Sequence, residues 1–259
     1  MKVALLQMDI ALGDVATNRK RALAMIDEGL EQGASLFVLP ELWTTGYVLD
    51  RLLEIGEPED GPTVQMLQKT ARENHVEIIS GSLAEIRNGK VYNTVYAIDA
   101  DGKITGKYSK IHLVPMMDED KFLTGGDHQG AFDLSFGKAG AIVCYDLRFT
   151  ELTRALALKG CKMLFVPAEW PSVRGRHWTI LNIARAIENQ LFVVAVNRVG
   201  QDKNNTFFGH SLVIDPWGEV LAEGSEDAQQ VIITDIDFDT LADARKKVPV
   251  FSDRRPECY

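Results

Sequence analysis

Cysteine is scarce in this chain: the 259 residues include only Cys144, Cys161 and Cys258. Proteins that depend on disulfides for stability carry a dense and usually even set of cysteines, so an odd and sparse set excludes a disulfide framework. Each of these cysteines is therefore available either as a small buried apolar side chain or as a reactive thiol.

An excess of basic residues is also missing. Lysine and arginine together number 28 against 37 aspartates and glutamates, which gives a formal net charge of -9 at pH 7. Proteins that bind nucleic acid need a basic surface facing the phosphates, so this balance argues against a nucleic-acid partner. The hydrophobic share of 46% and the charged share of 25% are ordinary globular values and exclude a disordered or fibrous chain.

Long hydrophobic runs are absent as well. No apolar stretch approaches the roughly 18 residues of a membrane-spanning helix, and the first apolar run, 3–8, stops at Asp9 before it is long enough for a secretory signal. No linker rich in proline, glycine or serine divides the chain. We therefore expect a cytoplasmic protein without a membrane partner, built as a single domain over 1–259 with a C-terminal tail at about 248–259.

Short apolar segments alternate with amphipathic ones along most of the chain. Strands are predicted at 3–8, 36–39, 76–83, 91–98, 104–109, 139–144, 163–166, 191–196, 211–214, 219–221 and 231–236. Helices are predicted to begin near Thr17 and Pro62 and to cover about 152–159 and 178–189, and a polar tail follows the last strand. This alternation is typical of a layered α/β fold.

One internal similarity stands out. The segment 33–43 resembles the segment 160–170, and each contains a predicted strand that follows a helix. Strand ends after helices are often alike, but the pattern also suggests two similar halves, each with its own sheet and helical cover.

Three side chains with acyl-transfer chemistry follow predicted strands: Glu41, Lys110 and Cys144. A carboxylate can take the thiol proton, the thiolate can attack a carbonyl, and an ammonium can stabilise the resulting oxyanion. Taken singly, each has an ordinary alternative: a buried small side chain for the cysteine, a helix-start acid for the glutamate and an exposed cation for the lysine. Spacing alone does not bring the three together.

Three segments that contain these residues resemble the signature segments of the nitrilase superfamily of carbon–nitrogen hydrolases. They are PELWTTGY at 40–47, KIHLVP at 110–115 and CYDLRF at 144–149, in the order and with the separations of that superfamily. The resemblance extends over essentially the whole chain, including 185–190 and 209–211.

The resemblance implies a fold and a set of roles. The expected fold is a four-layer α-β-β-α sandwich, with two central sheets and helices outside. The expected roles are general base for Glu41, oxyanion stabiliser for Lys110 and nucleophile for Cys144, while Glu119 matches the second glutamate that would hold the lysine. The turn after the nucleophile makes the backbone N–H of Tyr145 a candidate second oxyanion donor. The reaction so implied requires neither a metal nor an organic cofactor.

The segment 168–171, followed by Arg174 and Trp178, looks like the ω-amidase branch of the superfamily. Enzymes of that branch hydrolyse the terminal amide of α-keto acid monoamides such as 2-oxoglutaramate. Arg174 is a candidate to bind the carboxylate of such a substrate, although it is equally a solvated loop cation. Four aromatic residues are candidates for the walls of the pocket, although such residues are at least as often part of the core: Trp43, Tyr47, Trp170 and Phe208.

Other functions stay open at this point. An N-carbamoyl amidase, an aliphatic amidase and a nitrilase would use the same chemistry, whereas a non-catalytic binding protein and a redox-sensing thiol protein would not. The five histidines show no metal-binding spacing, so His112 is expected to be structural. The resemblance also implies a homodimer in which the helix after Cys144 and the tail near 251–255 meet the partner.

Overall fold

The computed structural model describes residues 1–258. Its strands are β1 (Lys2–Gln7), β2 (Leu36–Val38), β3 (Glu77–Arg87), β4 (Lys90–Ile98), β5 (Ile104–Ser109), β6 (Gly130–Leu134), β7 (Gly137–Ala141), β8 (Met163–Ala168), β9 (Phe192–Asn197), β10 (Val199–Gln201), β11 (Thr206–Phe208), β12 (Leu212–Ile214), β13 (Val220–Glu223) and β14 (Gln230–Asp235). Its helices are α1 (Val15–Glu31), α2 (Leu52–Ile55), α3 (Pro62–Asn74), α4 (Glu119–Phe122), α5 (Thr150–Leu158), α6 (Gly175–Asn189) and α7 (Phe238–Lys247). Short 3₁₀ turns lie at Leu49–Arg51, Pro115–Met117, Cys144–Arg148, Ser172–Arg174 and Pro256–Cys258.

Two six-stranded sheets form the centre of the molecule. The first has the order β14-β1-β2-β3-β4-β5 and the second the order β13-β12-β9-β8-β7-β6. In the first sheet β2 lies between two parallel neighbours, β1 and β3, and in the second β8 lies between parallel β7 and β9. The two segments that resemble each other in sequence thus supply a central parallel strand to each sheet.

Alternating residues of β1 show why both faces of the first sheet are buried. Val3 and Leu5 belong to a cluster that also contains residues of the second sheet, whereas Ala4 and Leu6 belong to a cluster with α1 and α3. A strand presents successive side chains to opposite faces, so one face of this sheet packs on the other sheet and one on helices.

The second sheet is covered by helices in the same way. Leu156 of α5 and Trp178 of α6 pack in the cluster that contains this sheet's apolar side chains. The layers therefore run helix, sheet, sheet, helix, and the predicted four-layer α-β-β-α sandwich is confirmed.

Several local predictions differ from the structure. Helix α1 begins at Val15 rather than near Thr17, because the Asp14 carboxylate caps it by accepting the Thr17 N–H at 3.0 Å. Strand β6 was not predicted, and the expected polar tail contains α7, which buries Leu241 and Ala244. The assignment of 1–259 to one domain, with a tail from about 248, stays a prediction.

None of the helices within residues 1–258 combines the length and the apolar character that crossing a bilayer would require.

A close backbone approach links β3 to the segment after β2. Gly81 has a φ of +62°, and a Cβ atom built on it would lie 2.1 Å from the Pro40 carbonyl oxygen. The register between β3 and β4 shifts here, between Ile79 and Ser82. A glycine is required at this position both by the positive φ and by the contact, and it sets the path of the chain just before Glu41.

The variant Gly81→Ala should be destabilised by about 3 kcal/mol or more, since left-handed strain of about 1–2 kcal/mol adds to the overlap with Pro40. Gly33→Ala is the matched control, because Gly33 has a φ of +78° but nothing within 4 Å of a Cβ. Urea unfolding of both variants measures the difference, and equal destabilisation would refute the role of the contact.

Candidate active site

Side chains with acid, base and nucleophilic chemistry meet beyond the carboxyl ends of strands from both sheets. Glu41 follows β2 and Lys110 follows β5 of the first sheet, while Cys144 follows β7 and Glu169 follows β8 of the second. All four are buried. The edge where the two sheets face each other therefore gathers the residues that the sequence separates by up to 128 positions.

A lysine lies between two carboxylates at the centre of this group. The Lys110 Nζ is 2.9 Å from Glu41 Oε1 and 2.7 Å from Glu119 Oε1, and all three side chains are 0% exposed. Burial of one cation with two anions is tolerated because each charge has an opposite partner within hydrogen-bond distance. The structure thus brings the predicted Glu119 to Lys110.

Further hydrogen bonds hold the two carboxylates in place. The Tyr47 hydroxyl is 3.1 Å from Glu41 Oε1 and also makes a hydrogen bond with Glu119 Oε1. Asn93 donates its side-chain N–H to Glu41 Oε1 at 2.8 Å, and Glu119 Oε2 accepts the Val114 N–H at 2.9 Å. Each carboxylate oxygen has a defined direction as a result.

The cysteine occupies a sharp turn. Cys144 has a φ of 47° and begins a 3₁₀ turn, so the chain leaves the direction of β7 before this residue. A positive φ at a non-glycine residue costs energy and persists only where the surroundings impose it. The strand that the sequence predicted through residue 144 therefore ends earlier, at Ala141.

Asp146, which sequence reasoning did not single out, imposes that turn. Its Oδ2 accepts the Val143 N–H at 3.0 Å and the Tyr108 hydroxyl at 2.6 Å. Its Oδ1 accepts the His112 backbone N–H at 3.0 Å and lies 2.7 Å from His112 Nδ1. Asp146 therefore ties the cysteine turn to the segment that carries Lys110, and His112 takes part in this connection.

Burial dominates the acid–base properties of the group. It raises the pKa of the Cys144 thiol well above its ordinary value, the charges of Glu41 and Glu119 raise it further, and Lys110 lowers it. For Lys110, burial lowers the pKa, but Glu119 and Glu41 outweigh it and the pKa is well above ordinary. The pKa of Glu119 is also raised, by burial and by Glu41 against the opposing effect of Lys110. The thiol is therefore neutral at pH 7 and the lysine is charged.

A cavity of about 320 Å³ opens onto the cysteine. Its lining consists of Val114, Met116, Met117, Cys144, Tyr145, Arg148, Trp170, Arg174 and His177. A small opening with apolar walls and a few polar groups is typical of a site for a small molecule.

Two arginines lie in this cavity. Arg174 was predicted, and its Nη2 is 2.9 Å from the Met116 sulfur. Arg148 was not, although it belongs to the segment 144–149; its guanidinium lies 4.7 Å from the centre of the Trp170 ring. The pKa of Arg148 is lowered by burial and by the nearby charge of Arg174, which places the two cations in one electrostatic environment.

The predicted aromatic residues separate in space. Trp170 lines the cavity with Cys144, whereas Tyr47 lines a neighbouring cavity of about 260 Å³ and turns its hydroxyl to the carboxylates. Trp43 is fully buried in the cluster between the first sheet and its helices, with its indole N–H donated to the Ser80 carbonyl at 2.7 Å. The structure thus places Trp43 in the core rather than in the pocket wall predicted for it.

Among residues 1–258, no three or more His, Cys, Asp or Glu side chains are arranged to hold a metal ion. The described cysteines are all free, Cys144 and Cys161 buried and Cys258 exposed.

Comparison with known proteins agrees with this geometry. The sequence profile of the family described as carbon–nitrogen hydrolase matches residues 2–246. The chain is 45% identical to 2-oxoglutaramate amidase of Bacillus subtilis (strain 168) over 258 residues, 99% of this chain and 98% of that protein. It is 36% identical to omega-amidase NIT2 of Homo sapiens over 268 residues, 100% of this chain and 96% of that protein.

Solved structures show the same relationship. Nit3 of Saccharomyces cerevisiae, a member of branch 10 of the nitrilase superfamily, superposes with a TM-score of 0.92 at 30% identity, covering 98% of this chain and 96% of that one. A profile match over nearly the whole chain and this superposition leave one conclusion: the chain belongs to the carbon–nitrogen hydrolase family of the nitrilase superfamily.

Proposed function

We propose that this protein is an ω-amidase, which hydrolyses the terminal amide of a small α-keto acid monoamide such as 2-oxoglutaramate to the carboxylate and ammonia. The observation that supports this most directly is the buried group of Cys144, Glu41, Lys110 and Glu119 beneath a cavity that also contains two arginines. The relatives named 2-oxoglutaramate amidase and omega-amidase support the same substrate class.

In the first half of the reaction, Glu41 takes the thiol proton while Cys144 Sγ attacks the amide carbonyl. The oxyanion so formed is stabilised by the Lys110 ammonium and by the Tyr145 N–H at the start of the 3₁₀ turn. Protonated Glu41 then gives its proton to the departing ammonia, and a thioester remains on Cys144. The raised pKa of the Cys144 thiol favours its neutral form until this proton transfer.

In the second half, Glu41 removes a proton from a water molecule that attacks the thioester carbonyl. The same two donors stabilise the second oxyanion, and its collapse releases the carboxylic acid and the Cys144 thiolate, which takes the proton back from Glu41. Glu119 holds Lys110 in its charged form through both halves, because it contacts the Nζ at 2.7 Å.

The arginines explain why the substrate carries a carboxylate. Arg148 and Arg174 line the same cavity as Cys144, and a guanidinium binds a carboxylate with two parallel hydrogen bonds. A neutral aliphatic amide would leave both cations uncompensated in a partly apolar cavity. This feature favours an anionic amide over the aliphatic amides and nitriles that the same chemistry would accept.

Replacing the nucleophile tests the reaction. The variant Cys144→Ala should lose at least about 10³-fold in kcat for ammonia release from 2-oxoglutaramate, since no other group can form the thioester. Cys161→Ala is the control, because that buried thiol is not part of the cavity lining and its loss should leave kcat unchanged. Near-normal activity of Cys144→Ala would refute the mechanism, and carbon dioxide release from carbamoyl amines would identify a carbamoylase instead.

Replacing the arginines tests the substrate class. Arg148→Met and Arg174→Met should each raise KM for 2-oxoglutaramate by about 10–100-fold, the equivalent of a lost charged hydrogen bond. Butyramide, which has no carboxylate, is the control substrate, and its kcat/KM should not fall in either variant. Equal losses for both substrates would show that the arginines serve the structure of the cavity only.

Removing the hydroxyl that contacts both carboxylates tests their arrangement. The variant Tyr47→Phe should lower kcat by about 10-fold or more, because hydrogen bonds to charged groups contribute about 1.5–3 kcal/mol. KM should stay within about twofold, since Tyr47 is not part of the lining of the Cys144 cavity. An unchanged kcat would mean that the hydroxyl does not orient Glu41 or Glu119.

We also propose a cytoplasmic homodimer. Free cysteines suit a reducing compartment. Large apolar side chains are exposed along α5, α6 and the residues after α7, namely Leu158, Ile180, Ile187 and Val248. The resemblance to the nitrilase superfamily implies that a second copy of the chain buries this surface. Sedimentation analysis tests the dimer, because it measures the molecular mass of the protein in solution.

A further inference from the structure

A second buried ion pair lies beside the catalytic group, and the proposed mechanism does not use it. Glu169 follows β8 and Arg198 follows β9, and the Arg198 Nη1 is 2.9 Å from Glu169 Oε2. Both side chains are 0% exposed. Removing two charges from water costs several kcal/mol per ion, so an ion pair at this position invites a functional explanation.

The backbone of Glu169 contacts two of the proposed catalytic residues. Its N–H donates to Glu41 Oε2 at 2.8 Å, and its carbonyl oxygen accepts from Cys144 Sγ at 3.9 Å. The backbone at residue 169 therefore orients the Glu41 carboxylate, which takes the proton in the proposed mechanism. It also contacts the Cys144 thiol, which gives that proton.

The end of β9 holds this segment on either side of Glu169. The Arg198 N–H donates to the Ala168 carbonyl at 3.2 Å. Asn197 accepts the Trp170 N–H at 2.7 Å and donates to the Trp170 carbonyl at 3.1 Å. Between these anchors, the side chain of Glu169 reaches Arg198, so the ion pair adds a side-chain restraint to the hydrogen bonds that hold both peptide units flanking Glu169.

The arginine is itself fixed. Its Nη2 donates to the Ile10 carbonyl at 3.2 Å, and its guanidinium lies 4.5 Å from the centre of the Phe207 ring. Because Ile10 follows β1 of the other sheet, this contact joins the ends of two strands from different sheets. A residue held at this many points can serve as a rigid support for Glu169.

The surroundings of Glu169 favour its protonation, and the charge of Arg198 is the main influence that opposes it. Burial raises the pKa of Glu169 to about 8, and the charges of Glu41 and Asp202 add to this rise while Arg198 opposes it. Without Arg198, the carboxylate would lose the charge that opposes its protonation, and its restraint on the peptide would weaken.

We propose that Glu169 and Arg198 are a positioning pair for the general base: their ion pair fixes the Glu169 peptide so that its N–H directs Glu41 Oε2 toward the Cys144 thiol. This inference rests on the proposed role of Glu41 as the base. Neither side chain is part of the cavity lining, so the pair acts through Glu41 and not on the substrate.

The test is a double-mutant cycle of Glu169→Gln and Arg198→Gln, with kcat and KM measured on 2-oxoglutaramate. Each single variant should lower kcat by about 10-fold with KM within about twofold, and the double variant should match the singles because either change breaks the pair. Arg198→Lys keeps the cation and should recover at least a third of the wild-type kcat.

A second measurement does not depend on hydrolysis of an amide. Alkylation of Cys144 by iodoacetamide, followed by mass spectrometry, should slow about as much as kcat falls, since the thiolate forms by proton transfer to Glu41. The exposed Cys258 is an internal control and should react at the wild-type rate in every variant. If the wild type hydrolyses none of the amides, the proposed function fails, and the alkylation rates still test the pair.

Glu77→Gln is the control for loss of a buried carboxylate. Glu77 is 4% exposed and accepts the Ser135 N–H at 2.7 Å, away from the site, so this variant should lose stability without a change in kcat or in Cys144 alkylation. The proposal is overturned if Glu169→Gln alkylates and turns over within twofold of wild type, or if the losses of the two single variants multiply in the double variant.

Discussion

The contact of one buried ammonium with two carboxylates is the constraint on which the rest of the site depends. An unpaired lysine at 0% exposure would lose its charge or draw in water, but Lys110 has Glu41 at 2.9 Å and Glu119 at 2.7 Å. Burial raises the pKa of the adjacent Cys144 thiol, and the charges of Glu41 and Glu119 raise it further against the opposing charge of Lys110. In the proposed mechanism, the same lysine stabilises the oxyanion that forms when the thiol attacks the substrate.

That arrangement requires the two sheets to keep a fixed position relative to each other. Asp146 does this on one side, because it links the cysteine turn of the second sheet to the backbone of His112, which follows the lysine of the first. Glu169 does it on the other side through its N–H to Glu41. Both links are hydrogen bonds of 2.8–3.0 Å to buried carboxylates, and such bonds weaken if either sheet shifts.

The segments 33–43 and 160–170, which resemble each other in sequence, occupy equivalent positions in the two sheets. Each segment supplies a central parallel strand, and each strand is followed by a glutamate, Glu41 in one sheet and Glu169 in the other. The two glutamates meet at the shared edge, but their surroundings differ. Glu41 contacts Lys110, whereas Glu169 is paired with Arg198.

The sequence by itself determined the layered fold and most strand positions, because short apolar runs and turn glycines are local patterns. Its three signature segments also made Glu41, Lys110, Cys144 and Glu119 the candidate site residues. It did not reveal α7, whose few buried residues leave a weak periodicity, nor the core position of Trp43. Only the tertiary structure decided that Arg148 joins Arg174 in one cavity and that Asp146 and Glu169 support the reacting groups. Such contacts join residues far apart in the chain, so they depend on how two sheets pack and leave no signal in local spacing.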